Sequence, residues 1–149
     1  MSSASEVPSP GEVLPGSPED EWVMLVSRTT SGVERAFLSW EDWACEPASV
    51  ETTCAMVLDS MGFSADALAA SIHDGRTLGT NGYVGEPPAE LAELVTQTET
   101  AATTLSEAAT TAGSTCAAAA ATCTSDAVAA VAAYDDLTAQ LADWAPYGG

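Results

Sequence analysis

The stretch STCAAAAATCTSD, Ser114 to Asp126, sets five consecutive alanines between two cysteines and contains no large apolar side chain. Alanine is the strongest helix former and each interleaved threonine costs only a few tenths of a kcal/mol, so propensity alone favours a helix. Small side chains gain dispersion energy only when two backbones come close together. The grip on this segment is therefore expected to be another helix, and the surrounding sequence has to supply it.

Upstream, Leu91, Val95, Thr98, Ala102, Leu105, Ala109, Ala112, Cys116, Ala119 and Cys123 recur at steps of four and three, the spacing of a helical packing seam. Only Thr98 interrupts the apolar pattern, and no large aliphatic side chain falls on it between Leu105 and Val128. Gly113-Ser114-Thr115 can act as a C-terminal cap followed by an N-cap, which predicts a break at Gly113 and an antiparallel hairpin of near-equal arms. A continuous rod is the alternative. In the second arm Val128, Val131, Tyr134, Leu137 (or Thr138) and Leu141 continue a stripe to Trp144, and Pro146 stops it.

Toward the N-terminus, Pro8, Pro10, Pro15 and Pro18 alternate with Ser, Gly and Glu, and residues 1–16 are expected to form a disordered arm. Ser17 as N-cap, Pro18 at the first helical position and Glu19, Asp20 and Glu21 predict a helix start, carrying Trp22, Val23, Leu25 and Val26. A short strand through Trp22 to Val26 is the rival reading. The run Thr29-Thr30-Ser31-Gly32 is expected to end that helix and begin a second, with Val33, Ala36, Phe37, Trp40, Trp43 and Ala44 on one face. Pro47 opens a third, striped by Val50, Cys54, Val57, Leu58 and Met61 and ending at Gly62; Ser64 caps a fourth, Ala65 to His73. RTLGTNGYVGEPP, residues 76–88, reads as a loop. The expected fold is all-α: a bundle of short helices over residues 17–75, a Gly/Pro loop over 76–87 and a long Ala/Thr-rich helical hairpin over 88–145.

The chain has 149 residues, 22 of them acidic, against three arginines and no lysine, for a formal net charge of −19. That balance argues against direct binding to nucleic-acid phosphates or an anionic membrane. No uninterrupted apolar run approaches the ~20 residues of a membrane span, so no span is expected. The N-terminus lacks a positive charge and an apolar core, hence is not read as a conventional signal peptide; a cytoplasmic, virion-associated or non-classically exported protein would fit.

Seven residues of helix separate Cys116 from Cys123 by about 10.5 Å, beyond the ~7 Å that a disulfide tolerates between Cα atoms. They cannot pair unless the helix breaks. Disulfides involving Cys45, Cys54, Cys116 and Cys123, including cross-links between the two pairs, stand beside four reduced, buried thiols as the alternative. Neither pair has the short spacing of a zinc knuckle, so no metal is expected. The single histidine, His73, precedes Asp74 at an expected helix end, where it complements the dipole. Glu41-Asp42 and Asp135-Asp136 are sequence neighbours that diverge on a helix, unlike an acid/base dyad. Neither a catalytic constellation nor a cofactor motif is recognised.

Small size, acidity and an Ala/Thr-rich hairpin are similar to the small helical substrates of type VII secretion. Their Trp-x-Gly turn has no counterpart here, where AGSTC, residues 112–116, is the expected junction. Phage head and tail adaptors share the same general features, and no family follows from either resemblance. The expected function is that of a non-enzymatic helical interaction protein, a subunit of a larger assembly, binding a protein partner or itself through the alanine seam. Its candidate interface residues are Phe37, Trp40, Trp43, Leu105, Ala109, Ala112, Cys116, Ala119 and Cys123. The alternative is an acidic inhibitor or nucleic acid mimic, which the diffuse placement of the carboxylates disfavours.

Overall fold

A computed structural model of the chain describes residues 17–147. The disordered arm expected over residues 1–16 lies outside them. The fold is an all-α bundle of four helices: α1 (Pro18–Asp42), α2 (Thr52–Arg76), α3 (Ala89–Ala117) and α4 (Cys123–Ala142), followed by a 3₁₀ turn at Ala145–Tyr147. Among the described residues the only β pairing is an isolated bridge between Glu46 and Ser49.

α1 begins as its sequence indicates. The Asp20 amide donates to Ser17 Oγ at 3.1 Å, with Pro18 in the first turn and Glu19, Asp20 and Glu21 at the positive end of the dipole. Trp22 to Val26 is helix, not strand. The break expected at Gly32 does not occur. The Thr29, Thr30 and Ser31 hydroxyls donate to the carbonyls of Leu25, Ser27 and Arg28 at 2.8, 3.1 and 3.2 Å, so the polar run turns back on its own helix and caps nothing new.

The ends expected at Gly62 and Gly113 are likewise absent, and there the reason is packing. A Cβ on Gly62 of α2 would lie 3.0 Å from the Thr110 backbone nitrogen and 3.2 Å from the Ser106 carbonyl oxygen of α3. A Cβ on Gly113 of α3 would run into the Asp59 side chain and stand 3.2 Å from the Ala55 carbonyl oxygen of α2. The two glycines are therefore reciprocal contact points of an antiparallel pair, where bare backbone on one helix meets backbone on the other. The region expected as short helices is in consequence two helices of 25 residues each.

The opening stretch turns out to be the turn itself. α3 runs past Gly113 to Ala117, and Ala119, within the alanine run, adopts a left-handed φ of 55°. The Ala119 amide donates to Cys116 O at 3.1 Å and the Ala120 amide to Thr115 O at 2.8 Å, the paired bonds of a Schellman cap with alanine where glycine is usual. α1 ends the same way: Ala44 has φ 53°, its amide reaches Glu41 O at 2.9 Å and the Cys45 amide reaches Trp40 O at 2.9 Å. A disulfide closes each turn, Cys45–Cys54 with Cα atoms 5.8 Å apart and Cys116–Cys123 at 4.6 Å. The break that permits Cys116 and Cys123 to pair is real, but five residues later than Gly113. The cross-links between pairs and the all-reduced alternative are both replaced by local pairing, and none of the cysteines is free.

In the core, Leu91, Val95, Thr98, Ala102, Leu105, Ala109, Ala112 and Cys116 are buried as the seam requires. Thr98 is the acceptor for the buried Trp144 indole N–H at 3.0 Å, which explains the one polar position. Ala119 leaves the seam for the exposed turn, and Cys123 is only partly buried. α4 differs from its expected stripe: Ala127, Ala130, Ala133 and Leu137 face the core, while Val128 is exposed. At the other end of the bundle the loop is held by the Val84 and Gly85 amides on Gly75 O at 2.9 and 3.1 Å. Nearby, Arg76 forms an ion pair with Glu99 of α3.

By length and composition α2 could cross a membrane, with mean hydropathy 1.2 over its most apolar window. Asp59, Ser60 and Asp66 interrupt its sequence, so a search for unbroken apolar runs misses it. Half of that window is buried in the bundle, as the core helix of a bundle would be.

Two outcomes test this arrangement. Gly62→Ala should destabilise the chain by about 1–3 kcal/mol, because backbone cannot yield to the new methyl. At Gly32 the nearest atoms to an added Cβ belong to the Ser64 side chain, at 3.2 Å. Gly32→Ala should therefore be neutral or stabilise by up to ~1 kcal/mol through helix propensity; equal effects in urea unfolding would contradict the packing. Peptide mapping of the unreduced chain should return only Cys45–Cys54 and Cys116–Cys123 links, and a Cys45–Cys116 link would contradict the fold.

Candidate functional site

The residues expected at an interface divide into three groups. Leu105, Ala109, Ala112 and Cys116 are buried by the chain's own helices. Ala119 and Cys123 sit at the α3–α4 turn, with Ala119 exposed. The aromatic trio of α1 is split: Trp40 is buried, Phe37 is partly buried, and Trp43, the C-cap residue, is 62% exposed.

Trp43 belongs to a surface that the sequence reading did not assemble. It lines a groove of about 230 Å³ between α1 and α2 with Ala36, Ser39, Thr53, Met56, Val57 and Ser60. Met56 is 63% exposed, and Phe63, seven residues further along α2, is 77% exposed. Positions seven apart share one face of a helix. The signal was available only to a reading that ran α2 unbroken through Gly62; ending the helix there leaves Phe63 in a loop and its partnership with Met56 invisible.

A second concavity lies between α1 and α4. It measures about 370 Å³ and is lined by Val23, Val26, Ser27, Thr30, Val33, Glu34, Tyr134, Thr138, Leu141, Ala142 and Trp144. Phe37 stacks on Tyr134 with ring centroids 3.9 Å apart and planes 2° from parallel, linking α1 to α4 at that end of the cleft. Burial pushes the Tyr134 phenol above its ordinary pKa of 10.0, helped by the negative charges of Glu34, Glu41 and Asp135 and opposed by a hydrogen bond with Thr138.

His73 stands in the last turn of α2 with its Nδ1 3.9 Å from Glu99 Oε2, beside the Arg76–Glu99 pair. It sits at the helix end where the dipole favours a cation. Among the described residues no group of three or more His, Cys, Asp or Glu side chains converges as metal ligands would. Both pairs of cysteines are engaged in disulfides, which removes a thiolate from the available chemistry. The arrangement comprises an apolar groove with Trp43 and Met56 exposed and a cleft with Glu34 as the one carboxylate in its lining. No protein-family model, curated protein or solved structure matches the chain.

The phenolate absorbance of Tyr134, taken as the difference between the native chain and Tyr134→Phe, should titrate with a midpoint above 10.0. Glu34→Gln should lower that midpoint by removing a carboxylate. A folded-state pKa raised in this way stabilises the fold at pH values below the unfolded pKa, and the contribution disappears as pH climbs through the folded value. A midpoint at or below the ordinary value, unmoved by Glu34→Gln, would contradict the described surroundings of Tyr134.

Proposed function

We propose that this chain is a non-catalytic interaction protein, a subunit of a larger protein assembly of the virion or secreted type, and that it docks through the α1–α2 face bearing Trp43, Met56 and Phe63. The observation that carries this reading is the joint exposure of Trp43 and Met56 on one groove, with Phe63 one heptad beyond Met56. Large exposed apolar side chains grouped on one face mark protein contacts, and tryptophan is the favoured anchor. Methionine adds a side chain that adapts to a partner's shape.

The alanine seam is a weaker candidate for docking, because Leu105, Ala109 and Ala112 are already covered inside the bundle. Two disulfides in a small chain suit an oxidising location, which supports an exported or virion setting over a reducing one. The net charge of −19 favours a partner with basic residues around the apolar contact.

A photoactivatable cross-linking residue placed at Trp43, compared with one at the exposed Thr104 of α3, tests the reading in the native source. The α1–α2 position should give a discrete protein adduct, which Phe63→Ser diminishes without lowering the melting temperature. Adducts of equal yield from both positions, or none from either, would remove the basis for this function.

A further inference from the structure

The cleft between α1 and α4 is separate from the α1–α2 groove and has a different chemistry. Its volume, about 370 Å³, falls in the range of small-molecule sites. Val23, Val26, Val33 and Trp144 form a buried apolar floor. Tyr134, stacked on Phe37, also lines the cleft.

Three of the donors in the lining are committed elsewhere. Thr30 Oγ1 donates to Ser27 O at 3.1 Å, Thr138 Oγ1 donates to Tyr134 O at 3.0 Å, and the Trp144 indole N–H donates to Thr98 at 3.0 Å. What Thr30 and Thr138 leave for a ligand is oxygen lone pairs, the Ser27 and Tyr134 hydroxyls can donate or accept, and Glu34 adds a carboxylate. The lining includes no Lys, Arg or His. A carboxylate-bearing ligand would meet the like charge of Glu34 with no cation in the lining to offset it; a neutral alcohol could donate one hydrogen bond to Glu34 but would leave its charge unpaired. A ligand with N–H donors and a positive charge complements both the lone pairs and the carboxylate.

We propose that the α1–α4 cleft binds a small aliphatic amine as its ammonium ion, with the chain laid over Val23, Val26, Val33 and Trp144 and the head held by Glu34 with the hydroxyl oxygens of Thr30 and Thr138. Charge-assisted hydrogen bonds of this kind are about twice as strong as neutral ones, and the apolar floor contributes in proportion to the chain area it covers. Glu41 and Asp135, which together with Glu34 bear on Tyr134, extend the negative potential over the same end of the cleft. The site goes beyond the protein-docking reading and does not depend on it.

The test uses the intact, oxidised chain and three probes of equal chain length: n-octylamine, 1-octanol and octanoate. Octylamine should shift the indole signal of Trp144 and the ring signals of Tyr134 saturably, octanol more weakly, and octanoate not at all. Glu34→Gln, an exposed position whose amide should leave the fold intact, should weaken octylamine binding by about tenfold, while leaving octanol unchanged. Asp66→Asn, on the exposed face of α2, removes the same charge outside the cleft and should leave octylamine affinity unaltered. The proposal is overturned if octylamine does not bind, if the three probes bind alike, if Asp66→Asn weakens octylamine as much as Glu34→Gln, or if the shifted signals are those of Trp43 and Phe63.

Discussion

The contact between α2 and α3 at Gly62 and Gly113 is the constraint on which the rest of the molecule rests. Backbone approaches backbone at both points, with the Ser106 carbonyl and Thr110 amide over Gly62 and the Ala55 carbonyl over Gly113. At that separation a seam of alanine, cysteine and threonine is sufficient, because each small side chain touches the facing helix. A wider spacing would leave Ala102, Ala109 and Ala112 beside voids. The same contact requires both helices to run unbroken through their glycines, and this moves the α3–α4 turn into the alanine run. Only there can Cys116 and Cys123 come within bonding distance.

Two local devices then fix how the helices are joined. At the ends of α1 and α3 an alanine takes the left-handed conformation in place of glycine, at a cost of roughly 1–2 kcal/mol. Each of these turns is closed by a disulfide, of the short-loop kind that removes about 2–3 kcal/mol of chain entropy from the unfolded state. The α2–α3 connection lacks a disulfide and relies on Gly75 accepting two loop amides, on the Trp22 indole reaching Gly85 O at 3.3 Å and on the Arg76–Glu99 pair. The bundle is thus covalently closed across its α1–α2 and α3–α4 turns and held by hydrogen bonds and one ion pair across the α2–α3 loop.

Where a residue's local chemistry has a single meaning, the sequence was readable. Ser17-Pro18 followed by three acids is a helix start, and it is one; the steps from Leu91 to Cys116 are a buried seam, and they are. Glycine carries two meanings, a helix end or a place where another backbone presses close, and the choice depends on a neighbour far away in sequence. Gly32, Gly62 and Gly113 all read as ends and all are interior. The left-handed alanines have the converse problem, since nothing about Ala44 or Ala119 distinguishes them from helical alanine. Errors in the boundaries then hid the surface: with α2 divided at Gly62, Met56 and Phe63 do not share a face. The α1–α4 cleft joins residues a hundred positions apart, Glu34 with Tyr134, and no local pattern announces it.

Small core residues also leave large side chains for the outside. Trp43, Met56, Phe63 and Val128 are exposed in a protein whose interior is substantially alanine. The proposed docking face and the proposed amine cleft are both consequences of this economy of bulk. The measurement that bears most directly on it is a set of nuclear Overhauser contacts in the oxidised chain. Close packing of α2 on α3 requires cross-peaks from the Gly62 Hα protons to Ser106 and Thr110, and from the Gly113 Hα protons to Ala55 and Asp59, with helical amide contacts continuous through both glycines. Absence of those inter-helix peaks, together with interruption of the helical pattern at Gly113, would contradict it.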